Sequence, residues 1–235
     1  MQQVTHNLFS IGLGGVNAFV IEDNGLTLID TGFKNRKEKI FTAIKKAGRN
    51  PGDIKQVILT HCHPDHAGSA ASIVTGKKIP VYAHTIDADL IEKGISHRNQ
   101  LSVSPGIGNK IIYNLFIKPA PDKIEPVHVD ERLKDTDVLA FAGGLQVIFT
   151  PGHSAGHISL LMKNDGVLIA GDICANYFGV GLSTIYEDRV LGIESALKAA
   201  AFDFDVAVFG HGKPIKQNAN KEIFKRFTEI KGSNL

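Results

Sequence analysis

An α/β fold is predicted for this chain by two observations. Apolar runs of strand character alternate with stretches of helical period, and several of those runs stop abruptly at turns containing glycine or histidine. Residues 17–21 and 27–29 flank Asp23-Asn24-Gly25, a hairpin signal. Residues 36–47 place Ile40, Phe41 and Ile44 at helical spacing, and Gly48 follows as a stop. Asp53-Ile54 leads into a strand at 57–59, residues 67–74 read as a helix, 79–83 as a strand and 87–93 as a short helix. Further strands are expected at 145–149, 167–170 and 206–209, with helices at 193–200 and 220–230. The sequence carries no internal repeat and no low-complexity tract.

The run Thr60-His61-Cys62-His63-Pro64-Asp65-His66-Ala67-Gly68 places three imidazoles and a carboxylate within six positions, directly after Val57-Ile58-Leu59. A strand that stops on such a turn clusters its side chains at one sheet edge. Mixed His/Asp shells suit zinc, iron or manganese. A solvated polar loop explains one or two of these residues by chance, but four in this packing favour a metal. Three further strands end in the same manner: 145–149 at Pro151-Gly152-His153, 167–170 at Gly171-Asp172, and 206–209 at Gly210-His211-Gly212. Glycine there lets the backbone turn tightly and approach a site closely. Each ending alone is weak evidence; together they describe one site assembled at the rim of a sheet.

The HxHxDH run, followed in order by His153, Asp172 and His211, resembles the metallo-β-lactamase-fold hydrolase superfamily, from Leu28-Ile29-Asp30-Thr31-Gly32 to Gly210-His211-Gly212. The resemblance implies a four-layer αββα sandwich with metals at one end of two sheets. It further implies that His61, His63 and His153 hold one metal, that Asp65, His66 and His211 hold a second, and that Asp172 bridges them. The cofactors are then two divalent ions per chain, zinc foremost, with iron or manganese as alternatives. Asp30 is a candidate acceptor behind a ligand histidine, because its turn resembles the family segment that supplies one.

Composition sets the remaining bounds. With 235 residues and 43% hydrophobic content, the chain can bury a full core as one domain. A formal net charge of +2 gives no sign of a nucleic-acid surface. No apolar run approaches the roughly 20 residues needed to cross a bilayer. The N-terminal residues lack the basic start and apolar stretch of a secretory signal, and two cysteines cannot form a disulfide framework. A cytoplasmic protein is expected, acting on a small molecule, away from nucleic acid and membrane.

The segment 95–126 mixes four prolines and two glycines with the apolar cluster 111–117. Inserted between the first ligand loop and His153, it is expected to form a lid whose Ile111, Ile112, Leu115 and Phe116 wall a pocket, or a contact in a homodimer. His157 is expected to be a structural hydrogen-bonding residue. His84 is read as a core histidine, with a supporting role behind the metals as the alternative. His6, His97 and His128 are read as surface or packing residues, and Cys62 and Cys174 as inert filler.

The chemistry expected of this site is hydrolysis. A divalent metal lowers the pKa of bound water from about 15.7 to about 7, supplying hydroxide at neutral pH. Asp65 is the expected catalytic carboxylate, carrying a proton to the leaving group, and no nucleophilic Ser or Cys is required. An ester, lactone or thioester carbonyl is the expected target. β-Lactam hydrolases of the family often carry cysteine at the position of Asp172. Glyoxalase-II-like thioesterases extend into a C-terminal helical region, whereas about two dozen residues follow His211 here. Lactonases carry a tyrosine three positions after the bridging aspartate, where this chain has Ala175, with Tyr177 and Tyr186 further on. Phosphodiesterase or nuclease, β-lactam hydrolase and iron-dependent oxidoreductase remain as alternatives on the same fold.

Overall fold

The computed structural model describes residues 1–97, 101–120 and 122–233. Strands β1 (Gln2–Gln3), β2 (Leu8–Gly12), β3 (Asn17–Glu22) and β4 (Leu26–Ile29) form an antiparallel meander. The β3–β4 hairpin turns at Asn24 and Gly25, both with positive φ, as the Asp-Asn-Gly signal predicts. Helix α1 (Lys37–Lys46) then crosses to β5 (Ile54–Leu59), which pairs parallel with β4. The segment predicted as one helix over 67–74 is two, α2 (Pro64–Ala67) and α3 (Ala70–Val74). The break has a local cause: the Ser69 amide turns to Thr31 Oγ1, and its hydroxyl donates to the Phe33 carbonyl.

Strand β6 (Val81–His84) continues the parallel half of the sheet and runs into α4 (Thr85–Lys93). The crossing segment holds β7 (Ser102–Val103), α5 (Ile107–Ile112) with a π-helical continuation at Tyr113–Ile117, and β8 (Glu131–Leu133), which closes the seven-stranded sheet. A second sheet of five strands follows: β9 (Val138–Leu139), β10 (Leu145–Phe149), β11 (Ile158–Met162), β12 (Val167–Ile169) and, added parallel beside β12, a strand at Val206–Val208. Between them lie the ribbon β13 (Ala175–Asn176) with β14 (Val180–Gly181), then β15 (Ile185–Tyr186) paired to β7, and α6 (Arg189–Ala200). Strand Val206–Val208 is therefore β16, and α7 (Ala219–Gly232) ends the described chain.

Strand alternation divides the apolar residues into three layers. Phe19, Ile21 and Ile58 of the first sheet meet Val147, Leu160 and Val208 of the second between the sheets. Their neighbours Val20, Val57 and Leu59 face the opposite way, onto Ile40, Ile44 and Ile91 of α1 and α4. On the far side, Ile148, Leu161 and Ala207 pack on Ala196, Ile223 and Phe227 of α6 and α7. Helix, sheet, sheet, helix is the four-layer order expected. Both central strands β5 and β10 end at the same rim, where Thr60 accepts the Ile158 amide across the two sheets.

Candidate metal centre

The rim gathers side chains delivered by four strand ends. β5 leads to His61, His63, Asp65 and His66, β10 to His153, β12 to Asp172 and β16 to His211. One ligand atom from each of His61, His63 and His153 lies within 4.8 Å of the others, and so for the groups His61, His66, Asp172 and Asp65, His66, His211. Asp172 sits between the groups: Oδ1 is 3.5 Å from His66 Nε2, and Oδ2 is 3.5 Å from His153 Nε2 and 3.1 Å from His211 Nε2. Gly210 lets Asp172 come this close, since a Cβ there would overlap its carboxylate and the His66 ring.

Four of the five histidines have their orientation set through Nδ1. His66 Nδ1 meets Asp30 Oδ2 at 2.8 Å, His153 Nδ1 donates to the Ile185 carbonyl at 2.8 Å, and His211 Nδ1 donates to the Gly15 carbonyl at 2.6 Å. His61 Nδ1 lies 3.0 Å from Thr60 Oγ1, whose own proton goes to Asp30 Oδ2. Carbonyls and carboxylates only accept, so each Nδ1 carries a proton and Nε2 is the nitrogen left for a metal to take. The Nε2 atoms of His61, His63, His66 and His153 and Asp172 Oδ1 are buried and lack hydrogen-bond partners. Buried polar atoms are seldom left so. Five converging buried atoms without partners are the donor set of a cation, and the residues present fit a divalent metal.

Electrostatics divide the site in two. Burial, reinforced by neighbouring histidines, pushes His61 and His153 well below the ordinary imidazole range, and burial also lowers His63. Burial acts in the same direction on His66 and His211, but the surrounding carboxylates, Asp172 foremost, outweigh it and leave both raised. For Asp65 and Asp172 burial works toward protonation, and the facing histidines overcome it, holding both carboxylates ionised.

The residues singled out around the ligands fall in different places. Asp30 is buried with φ of 59°, a left-handed backbone that aims both oxygens at Thr60 and His66. His157 hydrogen-bonds on both nitrogens, to Thr150 Oγ1 and the Asp172 amide. His84 does not join the ligands: it stacks on Phe149 with centroids 4.2 Å apart and accepts the Ile86 amide, capping α4. It ends β6, the strand next to β5 on the side away from β4. Tyr177 lies at the mouth, its ring centroid 6.1 Å from that of His211. Tyr186 is fully buried, donating to the Ile173 carbonyl and accepting from Ser183, so its hydroxyl is committed to structure. Cys62 and Cys174 are buried and unpaired.

A cavity of about 670 Å³ opens over the donors, with His63, Asp65, His153, Asp172 and His211 in its floor. Its walls include Phe33, Leu101, Ile112, Phe116, Ile117 and Tyr177. The expectation for the segment 95–126 therefore needs correcting in part. Ile112 and Phe116 face the cavity, but Ile111 and Leu115 are turned to solvent, 51% and 63% exposed, and do not line it. The helical turn of 107–117, unpredicted from its glycines and prolines, separates residues adjacent in sequence onto different faces. Residues 98–100 and 121 of that segment lie outside those described. His97, read from sequence as a packing residue, also lines the cavity, while His6 and His128 are exposed beside Asp165 and Glu92. Missed altogether were Gly15, which orients His211, and Asp87, which binds two of the ligand loops; neither belongs to a motif.

Fold and donor set together define a metal-dependent enzyme site at the rim of an αββα sandwich. The sequence profile of the metallo-beta-lactamase superfamily matches residues 11–211. A Bacillus subtilis protein described as "Probable metallo-hydrolase YflN" is 24% identical over 83% of this chain and 78% of its own length. "Probable metallo-hydrolase MJ0888" of Methanocaldococcus jannaschii is 28% identical over 84% of this chain and 87% of its own length. Among solved structures, BJP-1, a subclass B3 metallo-beta-lactamase of Bradyrhizobium japonicum, superposes with a TM-score of 0.73 at 26% identity, covering 99% of this chain and 91% of that one. This chain belongs to the metallo-beta-lactamase superfamily, and it is a metallo-hydrolase of that superfamily. No helix among the described residues is long and apolar enough to cross a membrane.

Proposed function

We propose that this metallo-hydrolase opens the carbonyl of an ester, lactone or thioester whose acyl part is apolar. The observation that carries the reading is the cavity itself, with metal donors in its floor and aliphatic and aromatic side chains in its walls. Two divalent ions, zinc foremost, would be held by His61, His63 and His153 and by Asp65, His66 and His211, with Asp172 shared. When bound, such ions make water acidic enough to yield hydroxide at neutral pH and polarise the substrate oxygen. The chain supplies the rest. Asp65, partly exposed to the cavity and 3.1 Å from His211 Nε2, takes the proton of the attacking water and passes it to the departing alkoxide or thiolate. The apolar walls exclude water and hold the acyl chain over the floor.

A β-lactam substrate is the second reading, favoured by the likeness to BJP-1. Against it, Lys118 is the one Lys or Arg among the described residues lining the cavity, and it is exposed, a poor anchor for a buried carboxylate. Elemental analysis of protein purified without chelator should approach two transition-metal ions per chain. A panel of acyl esters, lactones and thioesters of graded chain length, a β-lactam and a phosphodiester then separates the readings. Turnover confined to the β-lactam or the phosphodiester, or no metal after reconstitution, overturns the first.

A further inference from the structure

Asp87 is a buried carboxylate, 1% exposed, in the first turn of α4. Both of its oxygens are engaged by the loops that carry the first group of histidines. Oδ2 accepts the Cys62 amide at 3.1 Å and the Ser154 hydroxyl at 2.7 Å, and Oδ1 accepts the Gly156 amide at 2.8 Å. Cys62 lies between His61 and His63, while Ser154 and Gly156 follow His153. Gly156 is required by the approach, because a Cβ there would overlap Asp87 Oδ1 and its amide. Burying a carboxylate is costly unless donors replace its water, and here three do.

The two loops leave different sheets, one after β5 and one after β10, so chain connectivity does not set their separation. Yet the site needs them in contact: the His153 ring centroid is 4.8 Å from that of His61 and 4.6 Å from that of His63. We propose that Asp87 is a positioning residue for the first metal site, clamping the turn of His61 and His63 to the turn of His153 so that their Nε2 atoms converge. It touches neither metal nor substrate. The second group has separate anchors, Asp30 for His66 and the Gly15 carbonyl for His211. Loss of the clamp therefore acts on one site and spares the other. This inference rests on the reading that His61, His63 and His153 hold a metal.

The test is titration of the metal-free protein with cobalt(II), followed by visible absorption and calorimetry, on wild type, Asp87→Asn, Ser154→Ala and, as a marker of the second site, His211→Ala. Wild type should take up two ions. Asp87→Asn keeps one oxygen as acceptor and should weaken one binding step by about 10–100-fold, the usual effect of losing a partner behind the ligands. The other step, identified as the one that His211→Ala weakens, should stay within about threefold of wild type. Ser154→Ala, which removes a single hydroxyl and leaves the carboxylate in place, should weaken the same step less and guards against a variant that fails to fold. Equal weakening of both steps, or of neither, in a variant with wild-type circular dichroism overturns the clamp. Absence of any cobalt uptake by wild type overturns the metal reading, and the clamp with it.

Discussion

His157 Nε2 accepts the backbone amide of Asp172 at 2.9 Å, so the residue between the two donor groups is held through its main chain by a histidine that ligates nothing. The other ring nitrogen meets Thr150 Oγ1, which lies 3.2 Å from Ser159 Oγ, and Ser159 donates to the Ala170 carbonyl. The ring must be neutral to accept the amide, and burial lowers its pKa to about 3.

That neutrality gives the metal-free protein an acid sensitivity. In the unfolded chain a histidine takes up a proton below about pH 6.5, whereas folded His157 does not until about 3. Between those values the unfolded state binds more protons, and stability falls as pH falls. At pH 5 the loss is on the order of 2 kcal/mol. His157→Gln removes the titration, so its melting temperature should drop less than that of wild type between pH 7.5 and pH 5. Equal drops would contradict this account.

Metal uptake should release protons unequally from the two groups. His66 and His211 are raised by the carboxylates around them, and metal must displace their protons near neutral pH; His61, His63 and His153 are lowered and already neutral. Affinity at the Asp65, His66, His211 group should therefore rise more steeply with pH. Calorimetric zinc titrations in buffers of different ionisation enthalpy, at pH 6 and pH 8, count the protons released in each step. A release that is equal for both steps would count against the division.

Asp172 contacts histidines of both groups, so in the proposed two-ion site its loss would reach both ions. Asp172→Ala should lower total metal content and reduce turnover on any accepted substrate by orders of magnitude. Two ions retained with near-normal turnover would remove Asp172 from the bridging position.

Phe116 is 66% exposed, so only part of its ring contributes to the cavity wall. Phe116→Ala should raise KM for long acyl chains by an amount corresponding to at most about 1 kcal/mol, roughly fivefold, with metal content unchanged. Ile112→Ala, deeper in the wall, should act in the same direction. If Phe116→Ala instead changes the solution mass and leaves chain-length preference alone, the exposed part of its ring serves a homodimer and not the cavity.

The sequence by itself determined the α/β class, the hairpin at Asn24-Gly25, and the gathering of His61, His63, Asp65, His66, His153, Asp172 and His211 at strand ends. These are local signals: residue period, turn chemistry and donors of one kind at successive strand ends. Only the tertiary structure decided what holds those donors in place. Asp87 reaches Ser154 across 67 positions, His211 meets Gly15 across 196, and no spacing rule connects residues so far apart. The crossing segment shows the same limit at shorter range. Its glycines and prolines concealed a helical turn, and the turn, not the hydrophobicity of the cluster, put Ile112 in the cavity wall and Ile111 in water. Chemistry resides in side-chain type and can be read from the chain, whereas orientation depends on which distant backbone groups the fold brings within hydrogen-bond reach.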